Sequence, residues 1–414
     1  MGDDDRGMTA RRAAVAAAFI VGIGLLWWAS GLGRAPADPE AFFNSEQIAR
    51  ANDYRTPRYW AFLGGTLLNL TVLAVLAFTP IGDVVLRPFR RWPWMLGVAS
   101  AAITVVVVSA VVQFPISFWR GHLHERRWGF STQSGAAWLG DWGRSLAVSA
   151  LIAGLVYTLL VLLIRLLPRA WPAVAAGGVA GFVVLASFAW PLVIEPIFND
   201  FRPLGSRERA AELRALAEEA EVPVDEVLVA DQSRRTSKEN AYVSGFGGTK
   251  RIVVWDTLLE RESFDEVKLI VAHELGHRRE RHVEKGTAIG AAAAGAGVVV
   301  IWLLLRSRGT VRLARSQGPG DLRIVPFLVL MATVLTLMST PTANWISRQF
   351  EEEADRFALR LTQDPPIYVD AQKKLFLRNL GNLDPGPIVY RFLFTHPSPP
   401  ERLSYSDEEV SSTP

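Results

Sequence analysis

The chain has 414 residues, of which 50% are hydrophobic and 21% charged, with a net charge of +3 and no cysteine. The lack of cysteine excludes disulfides, thiolate metal ligands and a cysteine nucleophile together. A positive charge this small, with no basic stripe interleaved with aromatics, excludes a nucleic-acid partner.

Long, nearly charge-free apolar stretches recur at 13–33, 60–86, 93–119, 145–164, 171–194, 286–305 and 324–347. Each approaches the ~20 residues that a bilayer-crossing helix needs, so the sequence predicts seven membrane spans. Tryptophan and arginine sit at several ends of these runs, as in Trp27-Trp28, Arg90-Arg91-Trp92 and Trp119-Arg120, where interfacial belts belong. The first run follows Arg11-Arg12 and precedes Ala35-Pro36-Ala37, which imitates a signal cleavage site. Its apolar part exceeds the roughly 7–15 residues of a signal core, which favours an anchor over a cleaved signal. Between spans three and four, His122, His124, Glu125, Arg126 and Arg127 read as an interfacial loop, or alternatively as the mouth of an interior cavity.

From residue 200 the texture becomes mixed and polar. Ser206–Glu221 has the pattern of an amphipathic helix and Val227–Ala230 that of a short strand, while Asn240–Phe246 and Arg251–Trp255 form a hairpin turned through Gly245, Gly247 and Gly248. Ser263 with Glu266 is a capping box opening a helix whose apolar stripe is Val267, Ile270, Val271 and Leu275. On that helix lies His273-Glu274-Leu275-Gly276-His277. Residues i and i+4 share a helix face, so His273 and His277 can bind one Zn²⁺ while Glu274 serves as base toward water.

A catalytic zinc keeps three protein ligands, so a third must come from elsewhere in the chain. The extended HExxHxxGxxH pattern fails, because Glu280 and Val283 occupy its positions and His282 is one residue out of phase. Lys268, Arg278, Arg279 and Glu280 place the motif at or above the membrane interface rather than inside a span. Directly after the last span, Phe350-Glu351-Glu352-Glu353-Ala354-Asp355 offers carboxylates. Glu351 as ligand with Asp355 supporting a histidine competes there with a solvated acidic helix start. Residues from Ser404 onward are acidic and serine-rich and read as a disordered tail.

Taken together, these segments resemble the type I CAAX prenyl proteases, integral membrane zinc metallopeptidases of gluzincin type. The resemblance rests on Ile194-Glu195-Pro196-Ile197-Phe198-Asn199, Asn240-Ala241-Tyr242, Lys250–Leu259, the HELGH segment, Ser347–Asp355 and His396-Pro397 through Glu401-Arg402-Leu403. It implies His273, His277 and Glu351 as ligands of one Zn²⁺, Glu274 as catalytic base and Asp355 as support of a ligand histidine. It further implies that His396 and Arg402 act near the scissile bond, and that Asn240, Ala241 and Tyr242 contact substrate. Glu351-Glu352-x-x-x-Arg356 also matches the signature of the unrelated type II CAAX proteases. That match fails because no histidine follows His396 and no span surrounds it.

The expected fold is mainly α: a seven-span transmembrane helical bundle with a small α+β zinc metallopeptidase domain at the membrane interface. Residues 1–199 hold spans one to five and 286–347 spans six and seven. The two halves of the catalytic domain are 200–285 and 348–403, and 404–414 is the tail. The expected activity is zinc-dependent hydrolysis of peptide bonds in prenylated (CAAX-type) or other membrane-associated proteins. Alternatives are membrane-protein quality control of the heat-shock protease type and a non-catalytic scaffold that retains the fold. The expected partners are a polypeptide substrate, lipidated or membrane-inserted, and the lipid bilayer. Arginine far outnumbers lysine and alanine is abundant, the composition of a high-GC bacterial genome, and with the spans this makes a bacterial inner membrane the expected location. The resemblance implies a metal site facing the cytoplasm, whereas arginines at 87–91, 165–169 and 306–323 fall in loops then left outside, against the positive-inside tendency.

Overall fold

The computed structural model describes residues 38–245 and 249–412. The first expected span, 13–33, lies outside the described residues, as do Phe246, Gly247 and Gly248 of the expected hairpin turn.

Four long helices come first: α1 (Ser45–Phe78), α2 (Trp94–Phe118), α3 (Gly135–Leu166) and α4 (Trp171–Ala189). A small sheet and two helices follow, comprising β1 (Phe201–Pro203), α5 (Arg207–Glu219), β2 (Glu226–Ala230), β3 (Ala241–Ser244), β4 (Arg251–Trp255) and α6 (Phe264–Arg279). Then come α7 (His282–Leu305), α8 (Val325–Thr362), α9 (Pro365–Arg378) and α10 (Pro399–Ser412). Among the described residues six helices are long and apolar enough to cross a membrane, those built on α1, α2, α3, α4, α7 and α8.

Local chemistry moves several expected boundaries. A capping box between Asn44 and Gln47 starts α1 well before its apolar stretch. Thr79 ends that helix in an extended conformation, and Pro80 opens a separate short helix, Pro80–Leu86. The expected span 60–86 is therefore two elements, broken where Thr79 Oγ1 accepts from Ile81 N. In the other direction, α8 runs unbroken through the expected boundary at 347/348, because nothing between Ile346 and Gln349 interrupts the helix. One 38-residue rod thus joins an apolar span to the Glu351 segment.

The disordered tail from Ser404 is also corrected. α10 continues to Ser412, and Leu403, Tyr405 and Ser406 are buried, with Tyr405 packed in a cluster with Leu269, Leu359 and Tyr368.

The sheet order is β1-β2-β4-β3, with β2 and β4 parallel and the outer pairs antiparallel. β3 pairs with β4 alone and forms an edge of the sheet. Val227, Ala241, Val243, Ile252 and Val254 face one core, against Val267, Val271 and Leu275 of α6 and Leu213 of α5. Burying this alternating face fixes the strand register, since a one-residue slip would turn every apolar side chain outward.

Candidate active site

α6 is fixed at its start by Ser263, whose Oγ accepts from Glu266 N while Glu266 Oε2 accepts from Ser263 N at 2.8 Å. The apolar stripe packs α6 on the sheet and presents His273, Glu274 and His277 toward α8. Gly276 marks the close approach of these helices: a Cβ there would stand 3.1 Å from both Ala354 Cα and Phe357 Cδ1. Lacking that atom, the backbones draw near enough for the Glu351 carboxylate to reach both imidazoles.

His273 Nε2 and His277 Nε2 are 3.2 Å apart, and Glu351 Oε2 and Oε1 lie 3.3 and 3.5 Å from them respectively. Bonds of about 2.0–2.1 Å at tetrahedral angles would span edges of about 3.3 Å, close to the separation of the two imidazole nitrogens and of each from a Glu351 oxygen. Glu351 Oε2 is buried and has no hydrogen-bond partner among the described residues. The donor set of two imidazoles and one carboxylate therefore fits a single Zn²⁺.

The far nitrogens of both rings are held. His273 Nδ1 lies 2.8 Å from Asp355 Oδ1, an ion-pair contact bent away from a straight hydrogen bond. Asp355, fully buried, accepts from Arg402 Nε and Nη2 at 2.7 and 2.6 Å. His277 Nδ1 lies 2.9 Å from His282 Nδ1, and His282 Nε2 lies 2.8 Å from Glu353 Oε2. If the Glu353 carboxylate accepts from His282 Nε2–H, His282 Nδ1 is left as acceptor for His277 Nδ1–H. His277 then presents a lone pair at Nε2, as His273 does once its Nε2 proton is displaced and Nδ1–H faces Asp355.

His282 and Glu353 also join the cluster, although the spacing of His282, one residue out of phase with HExxHxxGxxH, gives no sign of it. His282 joins because Arg281 adopts a left-handed conformation, φ +58°, that turns α6 into α7. Phe350 then stacks on its ring, with centroids 4.4 Å apart.

Electrostatics follow from this crowding. Burial lowers His277, and the charge of His273 lowers it further, to about 3, so this ring is neutral. Burial alone would depress His273 too, but Asp355 and Glu351 outweigh it and raise the ring to about 10. Burial raises Glu274 to about 7, with Glu351 adding to the rise and His273 opposing it. A carboxylate titrating near neutrality is suited to accept and return a proton.

The other expected residues divide. His396 comes to the site, half-exposed, with Nε2 3.3 Å from Glu351 Oε2. Its loop is held by Arg348, which donates to Phe394 O at 2.8 Å, and by Ser398 N, which donates to Glu401 Oε2 at 2.6 Å. Arg402, expected near the scissile bond, is buried with its guanidinium engaged by Asp355, the carboxylate beside His273. Asn240 is exposed and directly precedes the edge strand; its carbonyl accepts from Trp255 N, and its Oδ1 from Ala241 N at 2.9 Å. Arg278 of α6 donates to Val243 O, which ties the strand to the metal helix, and Tyr242 faces Glu195 and Arg251.

The cluster at 122–127 is helical rather than a loop. His122, His124 and Glu125 are buried, and Glu125 receives Tyr54 Oη, Arg58 and Lys238 Nζ. This knot fastens α1 and the end of the second described span to the segment leading into β3.

Comparison with known proteins accounts for nearly the whole chain. Residues 203–410 match the family model for peptidase family M48, and residues 31–200 match that for the CAAX prenyl protease N-terminal region, described as five membrane helices. A Bacillus subtilis (strain 168) relative named uncharacterized metalloprotease YhfN is 31% identical, over 91% of this chain and 89% of its own. CAAX prenyl protease 1 of Saccharomyces cerevisiae is 27% identical, over 72% of this chain and 70% of its own. The crystal structure of S. mikatae Ste24p superposes with a TM-score of 0.74 at 22% identity, covering 95% of this chain and 97% of that one.

Proposed function

The chain belongs to peptidase family M48, and from that premise we propose that it is a membrane-embedded zinc endopeptidase with one ion held by His273, His277 and Glu351. The observation that carries this reading is the convergence of three metal-binding side chains, with the two imidazole Nε2 atoms 3.2 Å apart and a Glu351 carboxylate oxygen 3.3–3.5 Å from each. Zinc, when bound, would supply a Lewis acid that polarises the scissile carbonyl and lowers the pKa of water. The remaining work falls to the chain. Glu274 takes the proton of the attacking water and returns it to the leaving amine. His396, beside Glu351 and open to solvent, donates to the oxygen where negative charge develops. Asp355 and Arg402 hold His273 in orientation.

β3 suits an extended substrate that adds a strand to the sheet, beginning at Asn240, Ala241 and Tyr242. Such pairing reads backbone rather than sequence, which supports peptide substrates of broad sequence at the membrane surface. Within that class we place both prenylated CAAX-type chains and other membrane-associated proteins, with the site facing the cytoplasm of a bacterial inner membrane. The catalytic domain is read as 200–285 joined with 348–403, mounted on the spans.

The test pairs activity with metal content. Purified full chain and Glu274→Gln are assayed on an extended peptide with and without a farnesylated CAAX end, alongside elemental zinc analysis. The expected result is one zinc in both proteins and cleavage only by the wild type. Cleavage by the variant near the wild-type rate removes Glu274 from the mechanism. Equal turnover of both peptides removes the prenyl group from the specificity.

A further inference from the structure

At the end of the bundle away from the metal site, three spanning helices meet around a cavity of about 260 Å³. α2 starts there at Trp94, α3 ends there at Leu166 and α8 begins just after Leu322. The lining includes Arg90, Trp92, Trp94, Arg165, Gln317 and Asp321. Arg165 stacks on Trp94 at 4.5 Å from the ring centroid, and donates from Nε and Nη2 to Gly320 O at 2.9 and 2.7 Å.

Behind this wall lies a surplus of positive charge. Asp83 alone receives Arg323 Nε at 2.8 Å, Arg315 Nε at 2.7 Å and Arg90 Nη2 at 3.5 Å. The carboxylate of Asp321 accepts from backbone, at Gln317 N and Arg323 N. Four guanidiniums, at 90, 165, 315 and 323, therefore face two carboxylates, at 83 and 321. Arg323 is 0% exposed, and its Nη1 has no hydrogen-bond partner among the described residues. Arg323 itself is held by Asp83 and by Thr79 O, to which its Nη2 donates at 3.1 Å, so the unmatched charge of the cluster falls to Arg90 and Arg165 at the cavity wall, where an anion from outside would balance it.

We propose that this cavity binds a phosphate-bearing anion, and that its source is the headgroup of an anionic membrane lipid. Guanidiniums match the oxygens of a phosphate in bidentate geometry, and two tryptophans at a helix end mark the headgroup level of the bilayer. The volume admits a phosphate with its glycerol and leaves the acyl chains outside, where Met95 and Leu96 of α2 are exposed. Basic pockets between spans are a recurrent way of holding such headgroups. The site is independent of the peptidase reading, since none of its residues touches the metal cluster.

The full chain in nanodiscs of phosphatidylcholine, with or without phosphatidylglycerol, is to be compared by thermal unfolding and by native mass spectrometry of retained lipid. Phosphatidylglycerol raises the unfolding temperature of the wild type and remains bound, while Arg90→Gln with Arg165→Gln weakens apparent binding ten- to a hundredfold, as loss of charge-assisted hydrogen bonds implies. The control, Arg91→Gln with Arg308→Gln, removes the same charge from the same face without touching the cavity and keeps the shift. Inorganic phosphate added to phosphatidylcholine discs separates the sources. A full shift there identifies soluble phosphate as the ligand and overturns the lipid assignment, and no shift supports it. Equal loss in the control and cavity variants, or no response to either anion, overturns the site itself.

Discussion

On the proposed reading, His282 and Glu353 set the tautomer of His277 without touching the ion, which makes them sensitive probes of the site. Partners of this kind contribute about 10–100-fold in metal affinity. His282→Ala is expected to weaken zinc binding by that order in a chelator competition, with His282→Asn, which retains a hydrogen-bonding side chain, partly restoring it. The same measurement ranks three adjacent carboxylates: Glu351→Ala loses most because it removes a donor, and Glu353→Ala loses less. Glu352→Ala loses least, since Glu352 faces Arg356 at 3.0–3.1 Å. Equal losses across the three would show the wrong carboxylate chosen. A pH dependence belongs to this scale as well. His273, raised to about 10, carries a proton at neutral pH that zinc must displace, whereas His277, lowered to about 3, carries none. Affinity therefore rises with pH, about tenfold per unit below pH 10, and levels above it. At pH 8, above the Glu274 value of about 7, calorimetry in buffers of different ionisation heat is expected to register about one proton released per zinc, and a value near zero would contradict the assignment.

Between elements, the α6–α8 contact decides whether the donors meet. Gly276→Ala would place a methyl 3.1 Å from the α8 backbone, forcing the helices apart by a few tenths of an ångström. Overpacking of this kind costs about 1–3 kcal/mol, and it also lengthens the path from Glu351 to the histidines. The expected outcome is lower melting temperature together with weaker zinc binding. Gly286→Ala, where the nearest atom is 3.8 Å away, is expected to change neither. Elements governed by short-range signals were legible in the chain: the Ser263 capping box, the Ser206 cap of α5 and the strands β2 and β4 stand where turn residues and periodicity put them. What escaped was set by tertiary contact. His282 reaches His277 only through the left-handed Arg281, Arg402 turns inward only because Asp355 awaits it, and α10 continues past Ser404 because Tyr368 and Leu269 bury Tyr405. No periodicity encodes such meetings, whereas HELGH carries its own geometry in its spacing.

For the whole molecule the open dimension is its direction in the membrane. Ten arginines from 87 to 323 lie in loops or helix ends at the face opposite the metal site, which by the positive-inside tendency would make that face cytoplasmic. The structure gives at least four of them another reason to be there. Arg90, Arg315 and Arg323 converge on Asp83, and Arg165 holds Gly320 and Trp94, so these side chains lock helix ends together whichever way the bundle points. The six that remain are comparable to the seven arginines at 50, 55, 58, 120, 126, 127 and 144 on the metal-site face. Charge bias so reduced no longer outweighs the orientation in which the metal site meets the cytoplasm. The absence of any native cysteine makes the decision direct. Single cysteines are introduced by Arg308→Cys on one face and Glu218→Cys, exposed on α5, on the other. In intact bacterial cells an impermeant maleimide is expected to label the first and to reach the second only after lysis. The reverse pattern would put the peptidase face outside the cell, and with it the whole class of substrates that the edge strand can meet.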